Sequence, residues 1–233
     1  MNAKQAAAEK AVSYIHDGMT IGLGSGTTGS FAIDAIGRRV REGLSINGVA
    51  SSLRSEALAS KAGIRLVPFS EVKSIDLYID GADEVDKDFN LLKGGGGALL
   101  REKILAYNSK MFIVIIDSAK LVDTLGKFKL AVEVTPFAME LTIQNLENLG
   151  CLPNIRIENG KHYITDNGNL VIDCAFNMIK DVQKLSASVH AIPGVVENGL
   201  FANSMVGKII VGYEDGQVRE TEGRGNNFSS FRD

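Results

Sequence analysis

Three short segments in the first half of the chain carry side chains suited to moving protons beside an anion. The first is Gly22-Leu23-Gly24-Ser25-Gly26-Thr27-Thr28-Gly29. Glycines let backbone N–H groups turn inward, and a helix that follows such a turn presents the positive end of its dipole. Ser25, Gly26, Thr27 and Thr28 are therefore candidates to hold a phosphate or sugar oxygens. Gly24, Gly26 and Gly29 formally spell G-x-G-x-x-G, but the acid expected about twenty residues on is missing, and Ser51 and Ser52 stand there. No Lys-Ser or Lys-Thr follows as a P-loop requires. A plain tight turn with a hydroxyl helix cap is the bland alternative.

The second segment runs Asp80-Gly81-Ala82-Asp83-Glu84-Val85-Asp86 at the end of an apolar stretch. Side chains at the carboxyl ends of strands in an open α/β sheet face the ligand crevice. Gly81 and Ala82 are too small to fill that space, so Asp80 and Asp83 are both free to point into it. Paired carboxylates suit proton shuttling between hydroxyls. A Ca²⁺ loop counted from Asp86 fails, because Leu91 and Gly97 stand where Gly and Glu are needed. A solvated acidic turn accounts for Asp86 and Asp88 better than for Asp80.

The third segment is Lys93-Gly94-Gly95-Gly96-Gly97, followed by Ala98-Leu99-Leu100-Arg101-Glu102-Lys103. Four glycines at a helix entrance cost conformational entropy, and close approach of backbone to a ligand is the usual return. Lys93 adds a positive charge at the loop's edge. Glu102 has Ala98, Leu99, Leu105 and Ala106 as helical neighbours, an apolar setting that favours a base working near neutral pH. A surface glutamate paired with Arg101 or Lys103 is the alternative.

These segments need an alternating scaffold. Helices are expected at Ala6–Ile15, Phe31–Val40, Arg54–Ala62 and Ala98–Tyr107, and strands at Thr20–Leu23, Ile46–Ala50, Arg65–Phe69, Ile75–Ile79 and Phe112–Ile116. That alternation predicts a mostly parallel sheet covered on both faces. After Gly126 the pattern changes. A helix over Pro136–Leu149 and another over Val182–Ala191 flank strands with two Asn-Gly turns, at Asn159-Gly160 and Asn167-Gly168, which predicts a small α+β unit. The expected domains are 1–128 with 200–233, and 129–199.

The 233 residues, 45% of them hydrophobic and 23% charged, suffice for one sizeable core and a smaller one. A formal net charge of -3 argues against nucleic-acid or membrane-surface partners. No apolar run approaches the roughly 20 residues that span a bilayer. Cys151 and Cys174 form no C-x-x-C motif and read as free buried thiols in a cytoplasmic protein. The Gly-, Asn- and Ser-rich tail from Glu222 is expected to be loosely ordered.

Together, G-L-G-S-G-T-T, D-G-A-D-E and K-G-G-G-G-A-L-L-R-E-K resemble, in this order and spacing, the A-type ribose-5-phosphate isomerases. Asp117-Ser118-Ala119-Lys120, Gly126-Lys127-Phe128, Thr165-Asp166-Asn167-Gly168-Asn169 and Ile192-Pro193-Gly194-Val195-Val196 extend the likeness to about Asp215. The resemblance implies a Rossmann-like domain with an inserted ferredoxin-like domain, and a homodimer or homotetramer working without cofactor or metal. It also implies Glu102 as catalytic base, Asp80, Asp83 and Lys93 as catalytic partners, and Lys120 in substrate binding. The first loop departs modestly, with S-G-T-T where T-G-S-T is common, and the tail beyond Glu222 is longer than usual.

The chemistry so implied is proton transfer through a cis-enediolate. Glu102 would carry the carbon-bound proton, while Lys93 and the N–H groups of Gly94, Gly95, Gly96 and Gly97 meet the developing oxyanion. A metal-dependent hydride shift would want a carboxylate–histidine cage, yet His16, His162 and His190 are scattered. A sugar-phosphate-binding regulator would carry a helix-turn-helix segment, and a nucleotide-dependent oxidoreductase the missing ribose acid.

Overall fold

The computed structural model describes residues 2–225, so most of the tail expected to be loosely ordered lies outside the described residues. In chain order the first elements are α1 (Ala3–Val12), β1 (Thr20–Leu23), α2 (Gly26–Arg41), β2 (Asn47–Ala50), α3 (Leu53–Ala62) and β3 (Leu77–Asp80). Next come β4 (Glu84–Val85), β5 (Leu91–Leu92), α4 (Leu99–Tyr107), β6 (Phe112–Asp117), β7 (Leu130–Val134) and α5 (Met139–Glu147). The rest are β8 (Leu152–Ile155), β9 (Ile157–Glu158), β10 (Lys161–His162), β11 (Leu170–Ala175), α6 (Val182–His190), β12 (Val195–Asn198), β13 (Leu200–Phe201), β14 (Lys208–Gly212) and β15 (Val218–Glu222). The chain divides into two compact units. One holds the residues through Ala82, Arg101–Lys120 and those from Asn203 on; the other holds Asp83–Leu100 and Leu121–Ala202.

The first unit is built on a six-stranded sheet, ordered β15-β14-β6-β3-β1-β2, in which only β15 runs antiparallel to its neighbour. Residues 112–116 of β6 form an unbroken buried apolar run, as a strand covered on both faces must. Ala7, Ala8 and Ala11 of α1 and Ala32, Ile33 and Ile36 of α2 pack with Ile21, Ile79, Ile113 and Ile115 into one core. Because β1 lies between β2 and β3, the sheet changes direction of growth there, and the turns leaving β1 and β3 sit side by side at the carboxyl edge.

Helix α1 spans Ala3–Val12 where Ala6–Ile15 is expected, and two further details depart from expectation. Helix α2 starts at Gly26 rather than Phe31, so half of the first glycine segment is helical. Its apolar periodicity becomes visible only where the helix meets the core. The strand expected at Arg65–Phe69 is reduced to one bridge, Gly48 to Leu66, and Pro68 leads into a 3₁₀ turn over Phe69–Glu71.

In the second unit β7, α5, β8, β11, α6 and β12 follow one another as β-α-β-β-α-β, and their sheet, ordered β12-β7-β11-β8, is antiparallel throughout. This is the ferredoxin-like arrangement. Asn159 and Gly160, with φ of 51° and 75°, close the β9–β10 hairpin as a two-residue turn of positive φ requires. Cys151 and Cys174 are buried and unbridged, their thiols directed to Leu146 O at 3.2 Å and Ile172 O at 3.9 Å. Residues 83–100, expected in the larger domain, group with the second unit because β4 and β5 pair with each other and with β13. Within α4, Leu99 and Leu100 belong to the second unit and the rest to the first.

Candidate active site

In the first unit two of the residues singled out by type and spacing, Asp80 and Glu102, meet at Ser25. Its backbone N–H donates to Asp80 Oδ1 at 3.0 Å, and its hydroxyl donates to Glu102 Oε1. Asp80 is 1% exposed and Glu102 4%. Asp80 is the last residue of β3, and its Oδ1 also accepts the Gly81 N–H at 2.7 Å. Its Oδ2 accepts the Tyr78 hydroxyl. The first glycine turn lies directly on β3. Gly24 N–H donates to Ile79 O at 3.0 Å, and a Cβ on Gly24 would stand 2.3 Å from Asp80 Oδ1 and 2.5 Å from Ile79 O.

Sequence reasoning missed what lies beneath this loop. Ser52 caps α3 by accepting the Ser55 N–H at 3.0 Å, which explains a serine where a dinucleotide site keeps an acid. Ser55 Oγ in turn donates to Gly24 O at 2.7 Å and anchors the loop. Ser25 is the N-cap of α2 yet makes no side-chain cap bond, because its hydroxyl is turned to Glu102. The first-turn N–H groups of α2 thus receive nothing from the cap residue, the condition under which a helix end serves an anion. Thr27 is exposed and Thr28 half-buried, with Gly81 close to Thr28. Lys120 ends a short 3₁₀ turn after β6, which is parallel to β3, and so lies at the same sheet edge. Lys4 Nζ, unnoticed in the sequence, lies 3.8 Å from Asp117 Oδ2 there.

Tyr78 is wholly buried, and burial, followed by the charges of Asp80 and Glu102, pushes its hydroxyl well above the usual 10.0. A phenol so raised stays neutral in the folded state after its unfolded counterpart has ionised. The stability tied to it is whole below pH 10 and declines as pH rises above that value. Of the five tyrosines, Tyr78 is therefore expected to ionise only as the protein unfolds in alkali. An absorbance titration of the wild type against Tyr78→Phe checks this; loss of a reversible titration near pH 10 in the variant would contradict it.

In the second unit Asp83 is half-buried at the start of the β4–β5 hairpin, its N–H donating to Leu92 O at 2.8 Å. Asp83 Oδ2 accepts the Gly95 N–H at 2.8 Å, so the acidic turn and the second glycine loop are joined directly. Lys93 is 3% exposed, its N–H bound to Gly199 O at 2.8 Å and its ammonium 5.5 Å from the centre of the Phe201 ring. Gly97 N–H turns back to Gly94 O at 3.0 Å. Two of the four loop N–H groups expected at an oxyanion, those of Gly95 and Gly97, are thus engaged inside the protein. Gly97, with φ of 76°, also lies where a Cβ would stand 2.3 Å from the Tyr163 hydroxyl, so no other residue fits.

A family model described as ribose 5-phosphate isomerase A (phosphoriboisomerase A) matches residues 47–216. A ribose-5-phosphate isomerase A from Bacillus mycoides is 48% identical over 217 residues, covering 93% of this chain and 98% of its own. The ribose 5-phosphate isomerase A structure from Methanocaldococcus jannaschii superposes with a TM-score of 0.89 at 41% identity, covering 94% of this chain and 97% of that one. A D-ribose-5-phosphate isomerase solved in complex with phospho-erythronic acid gives 0.90 at 39% identity, covering 95% and 100%. These likenesses, with the α/β fold and its carboxylate-bearing loops, place the chain among the aldose–ketose isomerases. It belongs to the ribose-5-phosphate isomerase A family.

Proposed function

We propose that this chain interconverts ribose 5-phosphate and ribulose 5-phosphate by proton transfer, with Glu102 as the base at carbon. The observation that carries the reading is the double engagement of Ser25, whose N–H binds Asp80 and whose O–H binds Glu102. The first glycine loop, the end of β3 and the α4 acid thereby act on the same few ångströms. Glu102 takes the C2 proton of the open-chain aldose, the electron pair moves toward the C1 carbonyl, and a cis-enediolate forms. The proton returns to C1 while the O2 proton passes to O1. Negative charge on oxygen is met by the Lys93 ammonium and by N–H groups of the second glycine loop.

The two aspartates divide the remaining work. Asp80 is buried and held by Ser25, Gly81 and Tyr78, so its role is to fix the loop. Asp83 is half-exposed and stands three positions after Asp80 in the chain. Asp83 opens the furanose ring and relays the hydroxyl proton. Asp83→Asn is accordingly expected to lower kcat about 100-fold with the melting temperature nearly kept. Asp80→Asn is expected to lower the melting temperature as well, because an amide offers N–H groups to donors. Equal thermal loss in both variants would refute the division.

The phosphate end is held by the α2 N-terminus with Ser25, Gly26, Thr27 and Thr28, and by Lys120 and Lys4. Gly81 and Ala82 leave room for the sugar. Phe137, Leu141 and Leu152 are large apolar side chains exposed on the second unit, and a homodimer or homotetramer is the assembly proposed. Two buried, unbridged thiols suit a cytoplasmic setting. Among the described residues, no helix is long and apolar enough to cross a membrane. Ketose formation from ribose 5-phosphate in deuterated water tests the whole: deuterium is expected at the reacting carbon, and none under slow turnover would overturn the enediolate.

A further inference from the structure

The geometry points to Arg156 as the residue that aims the second glycine loop at the reacting oxygen, a positioning role resting on the oxyanion reading above. Arg156 follows β8, and its backbone is spoken for by Val171 O at 2.8 Å and the Tyr163 N–H at 2.9 Å. Its side chain crosses to a segment about sixty residues earlier. Nη1 donates to Gly94 O at 2.8 Å and to Gly95 O at 3.1 Å. Nε donates to Asp173 Oδ2 at 3.0 Å while Nη2 donates to Asp173 Oδ1, so a two-point fork fixes the guanidinium plane. Side-chain exposures of 14% for Arg156 and 20% for Asp173 keep solvent screening low. Tyr163, whose ring centre lies 5.7 Å from the guanidinium carbon, completes the grip by donating its hydroxyl to Gly96 O at 3.2 Å.

The consequence follows from peptide planarity. In a trans peptide the N–H points opposite to the preceding C=O. With Gly94 O drawn to Arg156, the Gly95 N–H faces away, and there it meets Asp83 Oδ2. With Gly95 O drawn the same way, the Gly96 N–H also faces away from the guanidinium. A loop of glycines has no side chains to hold these planes, and each could flip at small cost. Arg156 supplies the missing restraint. Its charge on the two carbonyls also polarises both peptides and strengthens their N–H groups as donors. One residue outside the three motifs thereby orients both the Asp83 carboxylate and the Gly96 N–H.

The test is Arg156→Lys, which keeps a cation but loses the fork. Steady-state rates with ribose 5-phosphate are read beside the inhibition constants of 4-phosphoerythronate, whose carboxylate imitates the enediolate oxygens, and of inorganic phosphate. The expected result is kcat lowered about 30-fold, KM within about threefold, 4-phosphoerythronate weakened by a similar factor to kcat, and phosphate unchanged. A folded variant with kcat and 4-phosphoerythronate affinity within about threefold of wild type would overturn the proposal. So would a loss confined to KM and phosphate, which would mark a phosphate ligand. Lys93→Met is the control on the parent reading: it weakens 4-phosphoerythronate if the oxyanion site is where we place it. Unchanged affinity there sinks that reading, whereas a loss there with none at Arg156→Lys sinks only this one. If lysine at 156 melts the protein, Asp173→Asn loosens the guanidinium without removing it and is expected to lower kcat about threefold to tenfold at constant KM; an unchanged kcat would count against the proposal.

Discussion

Glu102→Gln is expected to lower kcat by about 10²–10⁴-fold while KM for ribose 5-phosphate stays within about threefold. Glutamine matches glutamate in shape and keeps an oxygen to accept the Ser25 hydroxyl, so the loop geometry survives. What it loses is the capacity to take a proton from carbon, a capacity used only on the way to the transition state. An interaction of that kind appears in kcat and not in ground-state binding. Steady-state kinetics with a thermal melt as control decide the matter. A near-normal kcat in a folded variant would remove Glu102 from the role.

Glu84→Ala is expected to cost about 2–5 kcal/mol of stability, because Glu84 is a buried carboxylate serving two backbone donors. Its Oε2 accepts the Gly126 N–H at 2.7 Å and its Oε1 accepts the Phe128 N–H at 2.5 Å. Alanine leaves both N–H groups without these acceptors in a region where Glu84 itself is 4% exposed. Buried donors stripped of partners cost more than the bonds were worth, since water cannot replace what is lost. A fall in melting temperature of about 5–15 °C should be read by circular dichroism. A variant melting within about 2 °C of the wild type would show that the chain from Gly126 to Phe128 finds other acceptors.

Glu84 also shows where sequence reasoning stops. It stands inside the D-G-A-D-E motif, beside two aspartates assigned to chemistry, and nothing in its neighbours marks it as structural. The same holds for Glu133, fully buried on β7, whose Oε1 accepts from Thr165 Oγ1 and Asn169 Nδ2 at 3.0 and 2.9 Å. Those contacts account for the Thr165–Asn169 segment as a turn tied to a distant strand, and the sequence shows only the turn. Ser52 is read from the chain as standing where an acid is absent, yet it proves to be a helix cap, and Ser55, which the sequence does not mark, anchors the loop. Asp80 and Asp83 look alike in the sequence and differ in the structure in burial and in the donors that reach them.

Local chemistry, by contrast, was open to reading. The alternation of helix and strand, the Asn159-Gly160 hairpin and the strand at Thr20–Leu23 depend on backbone preferences and periodicity that act within a few residues. So do the two glycine loops and the carboxylates beside them, because residue type alone says what a backbone can approach and what a side chain can titrate. The sequence alone therefore determined the class of fold and the family, and it named the candidate reacting groups. Tertiary structure alone decided which carboxylate is an anchor, which N–H groups of the second glycine loop stay turned away from Arg156, and that Arg156 holds them so. Those outcomes depend on donors and acceptors about 40–80 positions apart along the chain, and hydrogen bonds of that reach leave no periodic trace in the residues that make them.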